Sequence, residues 1–150
     1  MKRCAFGRFW RYAALAEALT VFVGLAAPLH AADQPFSFTG TVRFVENDRQ
    51  FNVFAWQGRA SQLGACTGVG LVFEGGYVRQ ADVNLENDRG DSIDFYIEWV
   101  RDRETGESNG DYVITGGSGR FADAAGSGSF QAVPILDGGA AVTLEGTVSH

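Results

Sequence analysis

Apolar residues recur at every second position through most of this chain, and that period of two is the feature that most limits its fold. Ile93, Phe95, Ile97 and Trp99 alternate with Asp94, Tyr96, Glu98 and Val100. Phe36, Phe38, Val42 and Phe44 alternate with Ser37, Thr41 and Arg43, and Val142, Leu144 and Val148 with Thr143, Glu145 and Thr147. Successive side chains of a strand point to opposite faces, so each run reads as a strand with one apolar face. Beyond residue 31 no segment carries a convincing helical period.

Turn signals separate the runs. Glu46-Asn47-Asp48-Arg49 and Glu86-Asn87-Asp88-Arg89 are identical tetrapeptides, and Asn and Asp suit turns because their side chains bond nearby backbone. Their flanks match poorly, so they read as two similar turns rather than a duplication. Asp102 to Gly110 is the longest loop candidate, and Asp137-Gly138-Gly139 is a short hairpin connection. Strands are expected over 36–45, 50–59, 65–74, 77–85, 91–101, 110–116, 126–134 and 140–148. Eight antiparallel strands with short turns make a closed barrel or a sandwich, and closure removes exposed edges. The fold class expected is all-β: an eight-stranded antiparallel β-barrel of calycin-like form.

The N-terminus has a different character. Lys2, Arg3, Arg8 and Arg11 precede an apolar run from Ala18 to Leu29, and small residues follow at Ala31 and Ala32. That is the layout of a secretory signal peptide, here 1–31, leaving 32–150 as a single barrel domain in the periplasm or outside the cell. The alternative, an uncleaved anchor, needs about 20 apolar residues, more than this run supplies. Removing the leader takes four of the 12 Lys and Arg and one of the 18 Asp and Glu, so the net charge falls from −6 to −9. So acidic a chain should repel nucleic acid and anionic lipid, and it is expected to bind neither and to insert in no membrane once processed. The charge also simply keeps a domain soluble. Cys4 leaves with the leader and Cys66 stands alone, expected to be buried beside Ala65 and Val69.

The run from Gly116 to Gly128 is the most specific motif. Tyr112-Val113-Ile114-Thr115 leads into Gly116-Gly117-Ser118-Gly119-Arg120-Phe121, and Ala124 and Gly126 follow. This segment resembles the signature of the allene oxide cyclase-like and dirigent-like barrels: a strand, then Gly-Gly-Thr/Ser-Gly-x-Phe, then Ala-x-Gly opening the next strand. Gly58 to Gly70, with Leu63-Gly64 and Thr67, resembles the early part of exported bacterial members. Asn87-Asp88-Arg89-Gly90-Asp91 resembles their Asn-Gly-Asp step, and the match spans most of 32–150. The resemblance implies an eight-stranded antiparallel barrel, often trimeric in plant members, which guide ring closure or radical coupling of hydrophobic molecules in the lumen. The shared motif is structural. The plant catalytic residues have no residue-by-residue match here, so the fold is carried over and the activity is not. Physically, Gly117 and Gly119 allow a tight crossing between strands, Phe121 can plug one barrel end, and Gly126 and Gly128 let the next strand bend.

Familiar catalytic patterns fail. Gly117-Ser118-Gly119-Arg120-Phe121-Ala122 fits G-x-G-x-x-A, but Ala124 to Phe130 is too rich in glycine for the helix a dinucleotide site requires. Arg120 stands where the hydrolase elbow needs its last Gly, and Phe121 where a calcium-binding β-roll repeat needs Asp. His30 belongs to the leader or its cleavage point and His150 is the last residue, which leaves no material for a Ser-His-Asp triad or a His-rich zinc site. Asp102, Glu104, Glu107 and Asp111 could hold a hard cation, but an acidic loop is usually just solvated. No metal and no cofactor are expected.

Function then falls to the lumen. Eight strands enclose room for packed side chains or one small ligand. Phe44, Val53, Phe73, Phe95, Ile97 and Trp99, with Tyr112, are expected to line it. Phe51, Val53 and Ala55 oppose Phe54 and Trp56 on one strand, so both faces want cover; Phe54 and Trp56 are expected on an outer patch that joins subunits into a dimer or trimer, or that a loop covers. Three functions follow. The chain is a non-catalytic binder of a small hydrophobic or aromatic molecule, an isomerase or cyclase acting on a hydrophobic intermediate, or an interaction protein assembling through that patch. For the second, Arg43, Arg59, Asp94 and Tyr112 are the polar candidates, although parity sets Arg43 and Asp94 opposite the apolar residues of their strands.

Overall fold

The structure, a computed structural model, describes residues 32–47, 51–73 and 75–150. The expected leader, 1–31, lies outside the described residues. Eight strands follow in order: β1 (Gln34–Asn47), β2 (Asn52–Ala60), β3 (Gly64–Phe73), β4 (Arg79–Asn87), β5 (Ser92–Arg101), β6 (Ser108–Ser118), β7 (Ala125–Pro134) and β8 (Ala140–Ser149). Their ends lie within two residues of those read from the alternation. Each strand pairs antiparallel with the next, and β1 also pairs with β8, so the sheet closes into an up-and-down barrel with no free edge.

Alternation decides what enters the lumen. Phe36 and Phe38 of β1, Val83 and Leu85 of β4, Ile93, Phe95 and Ile97 of β5, Tyr112 and Ile114 of β6, and Leu144 and Val148 of β8 are buried there. An eight-stranded lumen is too narrow for a large side chain at every inward position, and inward glycines complement the large ones. A Cβ on Gly40 would come within 2.6 Å of the Phe38 ring, one on Gly146 within 2.7 Å of Tyr112 Oη, and one on Gly70 within 2.5 Å of Trp56 Nε1. Gly126, expected to let β7 bend, sits the same way under Ile114 Cδ1 at 3.1 Å.

One barrel end is closed, and the two sequence motifs meet there. A 3-10 turn, Gly119–Phe121, joins β6 to β7 and drives Phe121 fully out of solvent, in the buried cluster that also holds Leu63 and Ala124. The Phe121 ring packs against His150 at 4.6 Å, and the Arg120 guanidinium lies 5.1 Å from its centroid. Asp91 clamps this turn. Its Oδ1 accepts from the Arg120 backbone N–H at 3.2 Å and its Oδ2 from Arg120 Nε at 3.1 Å. Gly119, at φ +61°, has no room for a Cβ because Asp91 Oδ1 occupies the place. Asn87 holds the preceding turn, accepting from the N–H groups of Arg89 and Asp91 and donating to the Leu63 carbonyl. Glu86-Asn87-Asp88-Arg89 therefore turns the chain at the closed end, whereas Glu46 and Asn47, which open the identical tetrapeptide, lie at the other end.

Two measurements check this packing. Gly70→Ala should cost about 1–3 kcal/mol in urea unfolding, as overpacking does. Trp56→Phe should recover part of it, giving a coupling of about 0.5–3 kcal/mol in the double-mutant cycle; strict additivity would contradict the contact. The Arg120 backbone N–H, and then its guanidinium, hold the Asp91 carboxyl below the usual carboxylate range. A depressed folded value contributes stability above about pH 4 that is lost as pH falls through the folded pKa. Asp91→Asn should therefore flatten the acid limb of the urea midpoint while leaving its neutral value lower but constant.

Candidate functional site

The opposite end of the barrel is open. It is framed by the last residues of β1, β3, β5 and β7 and the first of β2, β4, β6 and β8. Below the rim lies a cavity of about 210 Å³. Its wall is Phe54 and Trp56 from β2, Val72 from β3, Ala81 from β4, Ile97 and Trp99 from β5, Phe130 and Ala132 from β7, and Val42 and Val142 from β1 and β8. The Trp99 and Phe130 rings stand 5.6 Å apart, tilted by 49°, and Trp56 lies against Phe38 at 5.9 Å. Phe38 itself is fully buried and does not line the cavity.

The rim is where polar groups enter. Arg79 is paired with Trp99 across β4 and β5, and Arg101 with Ser108 across β5 and β6. Paired residues share a face, so both arginines continue the inward rows of their strands, and all four of these residues line the cavity. Arg101 donates from Nε to the Gly106 carbonyl at 3.2 Å, a bond from the β5–β6 loop that orients the guanidinium plane. Asp102 accepts from the N–H groups of Thr105 and Glu104 in its own loop, in that order the causes that hold its carboxyl below the usual range. The loop acids that could have held a cation thus have one member committed to its turn, and among the described residues no three His, Cys, Asp or Glu side chains converge on a metal position.

The residues expected in the lumen separate into three groups. Ile97 and Trp99 line the cavity. Phe95 and Tyr112 face inward but lie in the packed half, 5.6 Å apart. Tyr112 Oη has no hydrogen-bond partner among the described residues, and burial pushes its pKa up to about 12. Phe44, Val53 and Phe73 do not line the cavity. Phe44 holds the inward parity but stands on the rim, 52% exposed, because β1 bulges between Phe44 and Glu46; its ring meets Phe54 at 5.7 Å. Val53 and Phe73 face outward, where the Phe73 ring meets that of Phe51 at 6.1 Å.

Phe54 and Trp56 exchange places with Val53. Expected on an outer patch, they face the lumen, and Trp56 is only 6% exposed. The two larger aromatic rings take the interior, where Gly70 leaves space for one of them, and the outer strip is formed by Phe51, Val53, Leu71 and Phe73 instead. Arg43 and Asp94 face outward as parity required: Arg43 pairs with Asp137 and Asp94 accepts from Asn84. Arg59 is on the outer face of β2. Cys66 is buried, 3.8 Å from the Gly58 carbonyl, and burial raises its pKa. Sequence reasoning missed Arg79 and Arg101. The signal was present, because Arg79 is two residues before Ala81 and Arg101 two residues after Trp99.

No family model matches the chain, and no curated protein matches it. Among solved structures, the pterocarpan synthase dirigent protein GePTS1 is similar, with a TM-score of 0.55 over 83% of this chain and 88% of that one, at 14% identity. At that identity the likeness concerns the fold: the chain is a dirigent-like β-barrel.

Tyr112 gives a test of where cavity ends and core begins. A tyrosine whose folded pKa is raised contributes stability that is complete below its unfolded pKa of about 10 and is lost as pH rises through the folded value. Unfolding midpoints should decline between about pH 10 and 12, and Tyr112→Phe should remove that decline. An unchanged alkaline limb in the variant would show that water reaches the hydroxyl.

Proposed function

We propose that this protein is an exported β-barrel that binds a small hydrophobic or aromatic molecule in its open end without transforming it. The observation that carries the reading is the aromatic wall of Phe54, Trp56, Trp99 and Phe130 around a cavity above a lower half whose inward side chains are buried. Its volume is below the roughly 300–1,000 Å³ of sites for drug-sized ligands, which favours a compound of one or two rings. Among the described residues, the polar side chains on the cavity lining are Trp56, Trp99, Arg79, Arg101 and Ser108. Among the same residues the lining includes no His, Asp, Glu, Cys or Tyr, the side chains that most often serve as general acid or base. His150 is at the other end, against Phe121. Export rests on the layout of 1–31, and assembly into a dimer or trimer would use the outer strip of Phe51, Val53, Leu71 and Phe73.

The second reading is a dirigent-like or allene oxide cyclase-like isomerase or cyclase. The fold shared with a pterocarpan synthase dirigent protein favours it. There the same wall would shape a reactive intermediate rather than store a stable compound, and turnover of an added hydrophobic precursor distinguishes the two.

Trp56 and Trp99 are the only tryptophans beyond residue 31, and both line the cavity. A bound aromatic compound should therefore shift the tryptophan emission. Ala132→Leu, which adds bulk to the cavity wall, should weaken binding of a neutral two-ring probe by at least about tenfold, or 1.4 kcal/mol, with the unfolding midpoint preserved. Unchanged affinity would place the ligand elsewhere.

A further inference from the structure

We infer that the open end docks on a zwitterionic lipid surface, its apolar tips entering the headgroup boundary with the cavity mouth turned toward the bilayer. The inference goes beyond the ligand-site reading and does not depend on it. Nine large hydrophobic side chains are exposed among the described residues. Seven of them stand at the open end: Phe44 and Val45 near the end of β1, Phe73 at the end of β3, Tyr77 and Val78 in the turn to β4, Val133 near the end of β7, and Leu136 in the turn to β8. Val69 and Val113 lie mid-wall, and none of the nine belongs to the closed end. Apolar residues exposed singly need no explanation, but a set gathered round one opening marks an interaction surface. Tyr77, 73% exposed, and Leu136, wholly exposed, are the extreme members.

Charge selects the surface. From β4 round to β8 the outward strand positions carry Asp82, Glu86, Asp94, Glu98, Asp111 and Glu145 and no Lys or Arg. Walls of one sign are repelled by an anionic membrane and stay in water, which leaves the open end as the face that can approach lipid. At that end the signs are mixed: Arg43 pairs with Asp137, and Arg101 and Arg103 flank Asp102. A mixed ring complements the phosphate and ammonium groups of zwitterionic lipids without a surplus of either charge. Tyrosine favours the interface because its ring is apolar and its hydroxyl polar, and arginines reach headgroups while their stems lie along apolar surface. A rigid protein face, a second copy included, needs close shape complementarity, which tips spread round an opening do not offer; a fluid bilayer conforms to them. Such docking is shallow and reversible, and no strand crosses the bilayer.

The experiment sediments the processed chain, whose barrel closes within residues 34–149, with sucrose-loaded phosphatidylcholine vesicles. Protein should pellet with the vesicles at low and at high salt, because apolar burial and not net charge drives the binding. Phosphatidylglycerol added to the vesicles should weaken it at low salt. Tyr77→Ser/Leu136→Ser should lower the partition coefficient by at least about tenfold. Val113→Ser, which removes an exposed apolar side chain from the middle of the wall, should leave it unchanged. All three positions are exposed, so the unfolding midpoints of both variants should match the parent's. No pelleting with phosphatidylcholine overturns the proposal. So does binding that survives in the double variant, or that is tightest on phosphatidylglycerol and released by salt. A dimer in lipid-free solution that the double variant abolishes would assign the open end to a second copy, and overturns it too.

Discussion

The narrowness of an eight-stranded lumen governs this molecule. Closing the sheet satisfies every edge, but it leaves less interior volume than eight rows of large inward side chains would need. The chain meets that limit by setting glycine beside aromatic. Phe38 lies over Gly40 and Gly58, Trp56 over Gly70, and Tyr112 over Gly146. Each pair is a steric lock in which the large ring has one place to go and the glycine cannot be enlarged. Packing of this kind is felt at the level of a single methyl group.

The same limit makes the barrel unequal along its axis. Phe36, Phe38, Phe95, Tyr112 and Leu144 fill the half nearer the plug, and Phe121 closes it. Toward the other end the inward residues of several strands become small: Ala81, Ala132 and Ala140 lie among the larger rings. Small residues interspersed with the aromatic ones leave a gap at this end. The cavity is thus a consequence of which residues alternate inward, not of a loop laid over the barrel.

Strand number, order and ends were legible because period-two alternation is a local property and the turns carry Asn, Asp and Gly. Phe95, Ile97, Trp99 and Tyr112 were placed on the correct face for the same reason. Alternation loses its meaning where both faces are apolar. On β2 the sets Phe51, Val53, Ala55 and Phe54, Trp56 are each hydrophobic, and on β3 Leu71 and Phe73 compete with Gly70 and Val72. Which set enters depends on partners far along the chain, above all on whether a glycine stands opposite a ring. The rim arginines failed for a different reason. Charge on a strand is ordinarily read as solvent-facing, yet at a barrel mouth the inward row also reaches water. Arg79 and Arg101 satisfy parity and solvation together, as long cationic side chains do at an apolar boundary.

The closed end explains why a resemblance in sequence says little about chemistry here. The Gly-Gly-Ser-Gly-Arg-Phe run and the Asn-Asp-Arg-Gly-Asp step occupy one end of the barrel, joined through Asp91 and Arg120. Their constraints are steric and electrostatic: no Cβ at Gly119, a carboxylate at Asp91, a ring at Phe121. A chain that keeps them keeps the plug, and through it the register of β5 to β7. The cavity lies at the other end, lined by residues that none of those constraints touch. Fold and site are therefore separable in this architecture. One end can be held fixed by packing while the wall and rim of the other change residue by residue, so it is that wall and rim that distinguish what this barrel can hold.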